Sequence, residues 1–179
     1  AQGRPLALVE TCTGGALTAA IAGQPGASRV LRWGLTLYDH ASKSRFLGLS
    51  PDVFLNHGSV SAEAAQAMAT AALGQLIASL DSPFEQQAAR ALAITGIAGP
   101  GGGSDAKPVG ACFMALAEPN GTEVREFLFP GSRSTYREQA CHSALKWLLV
   151  TSAQATQGAR PLTDAARGAL ARRRANSRA

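Results

Sequence analysis

Two short segments of this chain carry side chains that could act together in hydrolysis. The first, Glu10 to Gly15 (ETCTGG), places hydroxyl side chains where an apolar run gives way to glycines. The second, Tyr38 to Lys43 (YDHASK), supplies a phenol and an amine. A lysine that is desolvated beside a hydroxyl can lose its proton and serve as a general base. The two segments together predict a hydrolytic site that uses no metal, in which the amine of Lys43 and the phenol of Tyr38 could activate one of the hydroxyls; on an amphipathic helix, Lys43 could also be an ordinary surface lysine.

The residues that follow the apolar run could also bind an anion. A strand that leads through glycines into a helix brings backbone N–H groups and the positive end of the helix dipole to one point. That point suits an anion or the oxyanion of a tetrahedral intermediate, so Thr13, Gly14 and Gly15 are candidate binding residues. The alternative is that Thr11 and Thr13 merely cap the helix. Cys12 competes as nucleophile, although a cysteine beside an apolar run is more often buried packing.

A glycine-rich loop runs from Gly96 to Gly110 (GIAGPGGGSDAKPVG). It is not a P-loop, because no Gly-Lys-Ser/Thr follows, and it is not a dinucleotide fingerprint, because a strand follows it. Such a loop can wrap a phosphate or ribose through backbone N–H groups, although it could also be a plain surface loop. Arg133 could hold a phosphate with two hydrogen bonds, or form an ordinary ion pair. The candidate binding residues here are Gly96, Gly99, Gly101, Gly102, Gly103, Lys107 and Arg133.

The net charge of +5 over 179 residues is concentrated at one end of the chain. From Thr151 onward there are six arginines and one aspartate, and the rest of the chain has eleven basic and eleven acidic residues. The folded part therefore has no basic bias, and nucleic acid is not the expected partner. The run Arg172 to Arg174 could touch a polyphosphate, although a solvated, frayed terminus explains it as well.

Other classes of protein do not fit the sequence. The three cysteines and three histidines are scattered without metal-ligand spacing, so we expect no metal, no other cofactor and no disulfide scaffold. No apolar run approaches the roughly 20 residues that span a bilayer, and no signal peptide opens the chain. The sequence predicts a cytoplasmic protein that makes no membrane contact.

The order of elements predicts an α/β fold. Short buried strands are expected at 6–9 and 91–95, a bent strand at 30–38, and a hairpin of 109–117 with 122–129 across Asn120-Gly121. Helices are expected at 13–23, 39–47, 61–80 and 132–149, with Asp39 and Ser61 as caps and a short helical turn at 51–55. This pattern places helices on both faces of a mixed sheet. We assign residues 1–150 to one domain and 151–179 to a basic, peripheral or partly helical tail.

The segments named above, with Gly58 to Ser61, Lys107 to Gly110 and Phe129 to Arg133, resemble the CinA C-terminal domain, the PncC-type nicotinamide-nucleotide amidase. The resemblance covers residues 6–150 in the same order and spacing. It implies a three-layer α/β/α sandwich that is usually oligomeric and bacterial cytoplasmic. It also implies hydrolysis of nicotinamide mononucleotide to nicotinic acid mononucleotide and ammonia, within pyridine-nucleotide salvage.

The resemblance also implies residue roles. The family's nucleophile is a serine in Glu-Ser-Cys-Thr-Gly-Gly, its base falls on Lys43, and its assisting tyrosine falls on Tyr38. This chain has Thr11 at the nucleophile position, whose extra methyl group restricts χ1. The alternative function is therefore a catalytically impaired module that binds pyridine nucleotides. A third interpretation, a nucleic-acid protein, rests only on the arginine tail.

Overall fold

The computed structural model of the protein describes residues 3–158, with side chains described as far as Ser152. A short 3-10 turn, Ala27–Arg29, accompanies the regular elements. The strands are β1 (Leu6–Glu10), β2 (Leu31–Thr36), β3 (Arg90–Gly96), β4 (Ala111–Glu118) and β5 (Gly121–Leu128). The helices are α1 (Ala16–Ala22), α2 (His40–Leu47), α3 (Asp52–His57), α4 (Ala62–Ala78), α5 (Pro83–Ala88) and α6 (Arg133–Gly158).

The five strands form one mixed sheet in the order β2-β1-β3-β4-β5. Strands β2, β1 and β3 are parallel, whereas β4 and β5 add to β3 as an antiparallel hairpin. Helix α4 packs on the face that carries Ala7 and Val9. The opposite face carries Glu10, which contacts α1. The predicted α/β fold with a mixed sheet between helical layers is confirmed.

Small side chains allow α4 to lie close to the sheet. Alanines at 65, 69 and 72 of the helix are fully buried in one cluster with alanines 91, 93 and 115 of the strands. The helix begins at Ser61, whose hydroxyl accepts a hydrogen bond from the Ala64 N–H at 3.0 Å. The predicted caps at Ser61 and Asp39 are both present. The alanine-rich composition therefore produces close packing of helix on sheet rather than a loose core.

The candidate segments all leave the sheet at one edge. The carboxyl ends of parallel β1, β2 and β3 share that edge, and the antiparallel pairing places Gly96 opposite Cys112 at the start of β4. From β1 the chain goes to β2 on one side and later to β3 on the other, so the connections diverge between β1 and β3. In open α/β sheets, ligands bind outside the carboxyl ends of the strands at such a switch point.

Two elements differ from the sequence-based expectation. Helix α5 was not predicted, and α6 continues to Gly158 rather than ending near residue 149. All strands and α1–α5 belong to a compact unit that ends at Lys146, and a second unit begins at Trp147. Residues 159–179, including the arginine run, lie outside the described residues. No helix within 3–158 has the length and apolar character required to cross a membrane.

Gly96, the last residue of β3, lies against the Tyr136 side chain of α6 and the start of β4. A Cβ at this position would fall on the Tyr136 hydroxyl and only 2.5 Å from the Ala111 carbonyl oxygen. We expect Gly96→Ala to destabilise the protein by about 1–3 kcal/mol, the usual cost of overpacking. Gly74→Ala, in α4 with open space around the added methyl, should be neutral or stabilising. Urea unfolding of both variants tests this; equal stabilities would contradict the close approach.

Candidate functional site

Glu10, at the end of β1, hydrogen-bonds to the first turn of α1. Its fully buried carboxylate accepts hydrogen bonds from Leu17 N (3.0 Å), Thr18 N (2.7 Å) and the Thr18 hydroxyl (2.6 Å). The carboxylate therefore occupies the positive end of the helix that the sequence analysis assigned to an external anion. A buried glutamate one residue before the expected nucleophile is thus a structural residue that fixes the following turn.

The two threonines of the turn have different environments. The Thr11 hydroxyl donates to the Leu37 carbonyl oxygen at 3.1 Å, and its residue is 8% exposed. The Thr13 hydroxyl is buried and has no hydrogen-bond partner within the described residues. Neither side chain caps α1, whose N-cap is Gly15, so the capping alternative is wrong. An unpaired buried hydroxyl costs about 1–3 kcal/mol, and a ligand that bonded to Thr13 would remove that cost.

The glycine pair makes the turn possible. Gly14 and Gly15 have φ angles of 62° and 87°, a region that L-residues with side chains rarely adopt. The Gly14 N–H donates to the Thr11 carbonyl at 3.2 Å. The Gly15 N–H has no acceptor within residues 3–158, which leaves it available to a ligand.

Lys43 is a fully buried amine. It lies on the inner side of α2, and its Nζ is 5.5 Å from the centre of the Phe54 ring. Nζ has one hydrogen bond, to the Ser59 hydroxyl at 3.4 Å, and Lys43 forms no ion pair among the described residues. Burial lowers the pKa of Lys43 below its usual value, while the nearby Asp39 carboxylate acts in the opposite direction. The arrangement favours an uncharged amine, as a general base requires.

Cys12 has its polar contacts with Tyr136 and Cys112. Its side chain is buried, and the sulfur accepts a hydrogen bond from the Tyr136 hydroxyl at 3.2 Å. Hydrogen bonding from the Cys112 thiol, followed by that from Tyr136, lowers the pKa of Cys12 against the effect of burial. Its polar contacts belong to packing between β4 and α6, which supports the interpretation of Cys12 as a structural cysteine.

Tyr38 and Arg133 meet at the outer part of the site. The Arg133 guanidinium donates to the Tyr38 hydroxyl and to the Gly99 carbonyl, each at 3.2 Å. Arg133 therefore joins the segment after β2 to the glycine-rich loop, as expected for residues of one site. Tyr38 is 55% exposed and does not hydrogen-bond to Lys43 within the described chain.

Arg137, one helical turn after Arg133, is a site residue that the sequence analysis missed. Its Nε donates to the Thr13 carbonyl at 2.9 Å, and its guanidinium lies over Gly14. Neither arginine forms an ion pair within residues 3–158. The i, i+4 spacing on one helix was the available signal, because it places both guanidinium groups on one face.

The glycine-rich loop is held at its base and open at its tip. Backbone hydrogen bonds of 2.8 Å tie Ile97 to Ala111 and Gly110 to Ile97. Residues 100–105 with Pro108 and Val109 line an open pocket of about 360 Å³. Gly101, Gly102 and Gly103 are exposed, whereas Lys107 donates to the His57 carbonyl at 2.9 Å. Lys107 therefore joins the loop to the end of α3, just before Ser59.

Ser59 and Thr95 were also missed as site residues. Ser59 contacts the Lys43 amine, and its own carbonyl accepts a hydrogen bond from the Thr95 hydroxyl at 2.7 Å. They are far apart in sequence, so no local spacing identifies them. Within residues 3–158 no cluster of three or more histidine, cysteine, aspartate or glutamate side chains could hold a metal ion.

A family model and the most similar curated proteins identify the same family for this chain. The family described as the CinA C-terminal domain matches residues 1–151. A CinA-like protein of Geobacter sp. (strain M21) is 40% identical over 147 residues, which are 82% of this chain and 33% of that protein. A putative competence-damage inducible protein of Caldicellulosiruptor bescii is 36% identical over 143 residues, 80% of this chain and 32% of that protein. The chain thus spans about one third of the length of these curated relatives.

Solved structures have the same fold. The competence/damage inducible protein CihA from Agrobacterium tumefaciens has a TM-score of 0.74 and 33% identity, covering 83% of this chain and 85% of that chain. The CinA superfamily protein from Enterobacter cloacae has a TM-score of 0.72 and 30% identity, covering 83% of this chain and 82% of that chain.

A substitution that changes one atom of the Glu10 carboxylate tests its role in capping α1. Glu10→Gln removes the negative charge and replaces one carboxylate oxygen by an amide nitrogen, so either the Leu17 N–H or the Thr18 N–H loses its acceptor. We expect a loss of about 1.5–3 kcal/mol in the free energy of unfolding, as for other hydrogen bonds to a charged group. The matched control is Glu126→Gln on exposed β5, which should change stability by less than about 0.5 kcal/mol. Equal effects in urea unfolding would contradict the capping role.

Proposed function

This chain belongs to the CinA C-terminal domain family, and from that premise we propose that it hydrolyses the carboxamide of nicotinamide mononucleotide. The products are nicotinic acid mononucleotide and ammonia. The reaction uses a hydroxyl nucleophile with Lys43 as the general base, and no metal. The family assignment supplies the substrate, whereas the residues at the sheet edge supply the chemical argument.

The observation that carries the proposal is the Lys43 amine. It is fully buried, paired with a hydroxyl rather than a carboxylate, and lies at the edge where the strand connections diverge. Most lysines are solvated and charged. A buried lysine with a lowered pKa beside a hydroxyl is the arrangement that activates a nucleophile.

The reaction proceeds in two stages. Lys43 takes the proton of the hydroxyl, and the oxygen attacks the amide carbon to form a tetrahedral intermediate. The Gly15 N–H is an available donor for its oxyanion. Lys43 then protonates the leaving nitrogen, ammonia departs, and the acyl-enzyme remains. Water gives one proton to Lys43 and attacks the acyl carbon; the ester bond then breaks, the acid is released, and the nucleophile's oxygen recovers its proton from Lys43.

The phosphate of the nucleotide would bind at the outer part of the site. Arg133 and Arg137 present two guanidinium groups without carboxylate partners in the described chain, the first bonded to the glycine-rich loop at Gly99 and the second to the turn at Thr13. Guanidinium groups and loop N–H groups are common ligands of phosphate. Tyr38, held by Arg133, stands between this outer part and the turn at Gly14, where it can orient the substrate.

The resemblance to the family motif implies Thr11 as the nucleophile. Its hydroxyl proton is directed to the Leu37 carbonyl, so attack requires that bond to break. This observation favours the second candidate function, a module that binds the nucleotide without turnover. Calorimetric binding of nicotinamide mononucleotide with no ammonia release, and release restored by Thr11→Ser, would support it.

An ammonia-release assay with nicotinamide mononucleotide tests the amidase directly. We expect turnover by the native protein and a fall in kcat of about 10²–10⁴ in Lys43→Met, the usual range for a lost general base. Because this substitution removes a buried amine, the unfolding midpoint should rise by a few degrees, at about 2–4 °C per kcal/mol for a chain of this size. Lys146→Met, on α6, is the control. Absence of ammonia from the native protein would overturn the proposal.

The pH dependence of kcat/KM should follow the titration of the Lys43 amine. The base form is neutral, so kcat/KM should rise with pH and level off above the pKa of Lys43. That midpoint should lie below the ordinary lysine value of about 10.4. Asp39→Asn removes the carboxylate that raises this pKa and keeps a good helix cap, so it should move the midpoint to lower pH. Asp52→Asn is the control. A midpoint that stays in place or rises in Asp39→Asn would contradict Lys43 as the base.

A further inference from the structure

One hydrogen bond and one ring contact hold the Lys43 amine within the described chain, and both come from α3 and the turn that follows it. Nζ donates to Ser59 Oγ at 3.4 Å and lies 5.5 Å from the centre of the Phe54 ring. We propose that Ser59 is a positioning residue, whose hydroxyl holds the Lys43 amine in the orientation from which it acts as a base. This inference rests on the proposed amidase function and leaves the nucleophile at the motif position.

A lysine that acts as a base needs such a partner. Its four-carbon stem is flexible, whereas a reacting group has to be held in a defined place. A neutral amine carries a single lone pair, which must face the proton that it takes. Because Nζ uses an N–H to reach Ser59 Oγ, the hydrogen bond fixes the amine and leaves this lone pair available to the nucleophile.

The turn that carries Ser59 is anchored to three other parts of the protein. Three successive backbone carbonyls in the turn each accept a hydrogen bond from a side chain. The pairs are Lys107 with His57 at 2.9 Å, Ser61 with Gly58 at 3.2 Å, and Thr95 with Ser59 at 2.7 Å. The donors belong to the glycine-rich loop, the start of α4 and β3. The half-buried Ser59 hydroxyl is therefore presented from a fixed backbone.

The glycine-rich loop is bonded to the same turn through Lys107. The Lys107 Nζ, which donates to the His57 carbonyl, also lies 3.4 Å from the position of a Cβ on Gly58. A nucleotide bound by this loop would thus lie beside the turn that holds the base. The position of the Lys43 amine and the binding of substrate depend on one connected set of hydrogen bonds.

The charge state of Lys43 gives this contact a measurable sign. Burial favours the neutral amine, whereas Asp39 at the start of α2 and Cys12 in the turn after β1 favour the ammonium. The Ser59 acceptor also favours the ammonium, because a charged donor forms the stronger hydrogen bond. Loss of the Ser59 hydroxyl should therefore lower the pKa of Lys43 further. A pocket that merely loosened and admitted water would raise that pKa toward its ordinary value.

A titration of the amine tests the inference without substrate. The chain has three lysines, Lys43, Lys107 and Lys146, so carbon-13 labelling at the lysine ε position gives few NMR signals, and Lys43→Met assigns one of them. In Ser59→Ala we expect the Lys43 midpoint to fall by about one pH unit, as for one hydrogen bond to a charged group. Ser44→Ala, which removes a neighbouring hydroxyl in α2, should keep the native midpoint. An unchanged or raised midpoint in Ser59→Ala overturns the inference.

The ammonia-release assay, at a pH above the titration midpoint, tests the consequence for catalysis. Ser59→Ala should lower kcat about 10–100-fold, as expected for a misplaced catalytic group, and should leave KM within about threefold of native. Ser59→Thr keeps the hydroxyl and should restore most of kcat and the native midpoint. Urea unfolding checks that each variant folds. A folded Ser59→Ala variant with native kcat overturns the inference.

The two proposals fail in different ways. Ammonia release by the native protein, together with an unchanged Lys43 midpoint in Ser59→Ala, overturns the role of Ser59 and leaves the amidase. A lowered midpoint without ammonia release from nicotinamide mononucleotide supports the contact between Ser59 and Lys43 and overturns the proposed substrate.

Discussion

Burial of the Lys43 amine is the constraint on which the candidate site depends. A charged ammonium at this depth would lack the water that stabilises it, and no carboxylate is paired with it in the described chain. The neighbouring Phe54 ring and the Ser59 hydroxyl only partly replace that water. The protein therefore holds an amine whose neutral form is favoured, and stability is given up where chemistry would need it.

The topology of the sheet explains why distant segments converge on this amine. Parallel strands end at the same edge, so the turns after β1, β2 and β3 are neighbours although they are far apart in sequence. The hairpin β4–β5 returns the chain to that edge, where α6 begins and carries Arg133 and Arg137 across it. The residues of the site thus come from five connections, each fixed by a strand or helix that has its own place in the core.

Local signals in the sequence were sufficient for most of the strands and helices and pointed to candidate site residues. Asp39 and Ser61 have side chains that can cap a helix, and Asn120-Gly121 closes a hairpin, because each of these depends on only a few adjacent residues. The family motif led to Lys43, whose burial agrees with a base. The family resemblance and the mixed character of the sheet were likewise predictable, since the glycine-rich loop and the alternation of elements are local patterns.

Contacts between distant residues were not predictable in this way. Nothing in ETCTGG shows that the Glu10 carboxylate turns back to α1 and occupies its positive end, since this depends on which face of β1 receives the helix. The pairing of Lys43 with Ser59 depends on how α3 ends beside α2, and the position of Arg137 over Gly14 depends on the packing of α6. Helix α5 is short and has no buried residues, so it lacked the apolar periodicity on which a prediction relies.

The arrangement of charges separates binding from chemistry. A phosphate group near Lys43 would raise the pKa of the amine and so oppose its action as a base. Arg133 and Arg137 lie at the outer part of the site, where their positive charges can compensate the phosphate charge and reduce its effect on the pKa of Lys43. The inner part of the site contains the Lys43 amine and the hydroxyls of Ser59, Thr11 and Thr13. Burial favours the neutral form of this amine. Under the proposed function, an anionic nucleotide would be bound by charge at one end of the site, and its uncharged carboxamide would meet an amine of lowered pKa at the other.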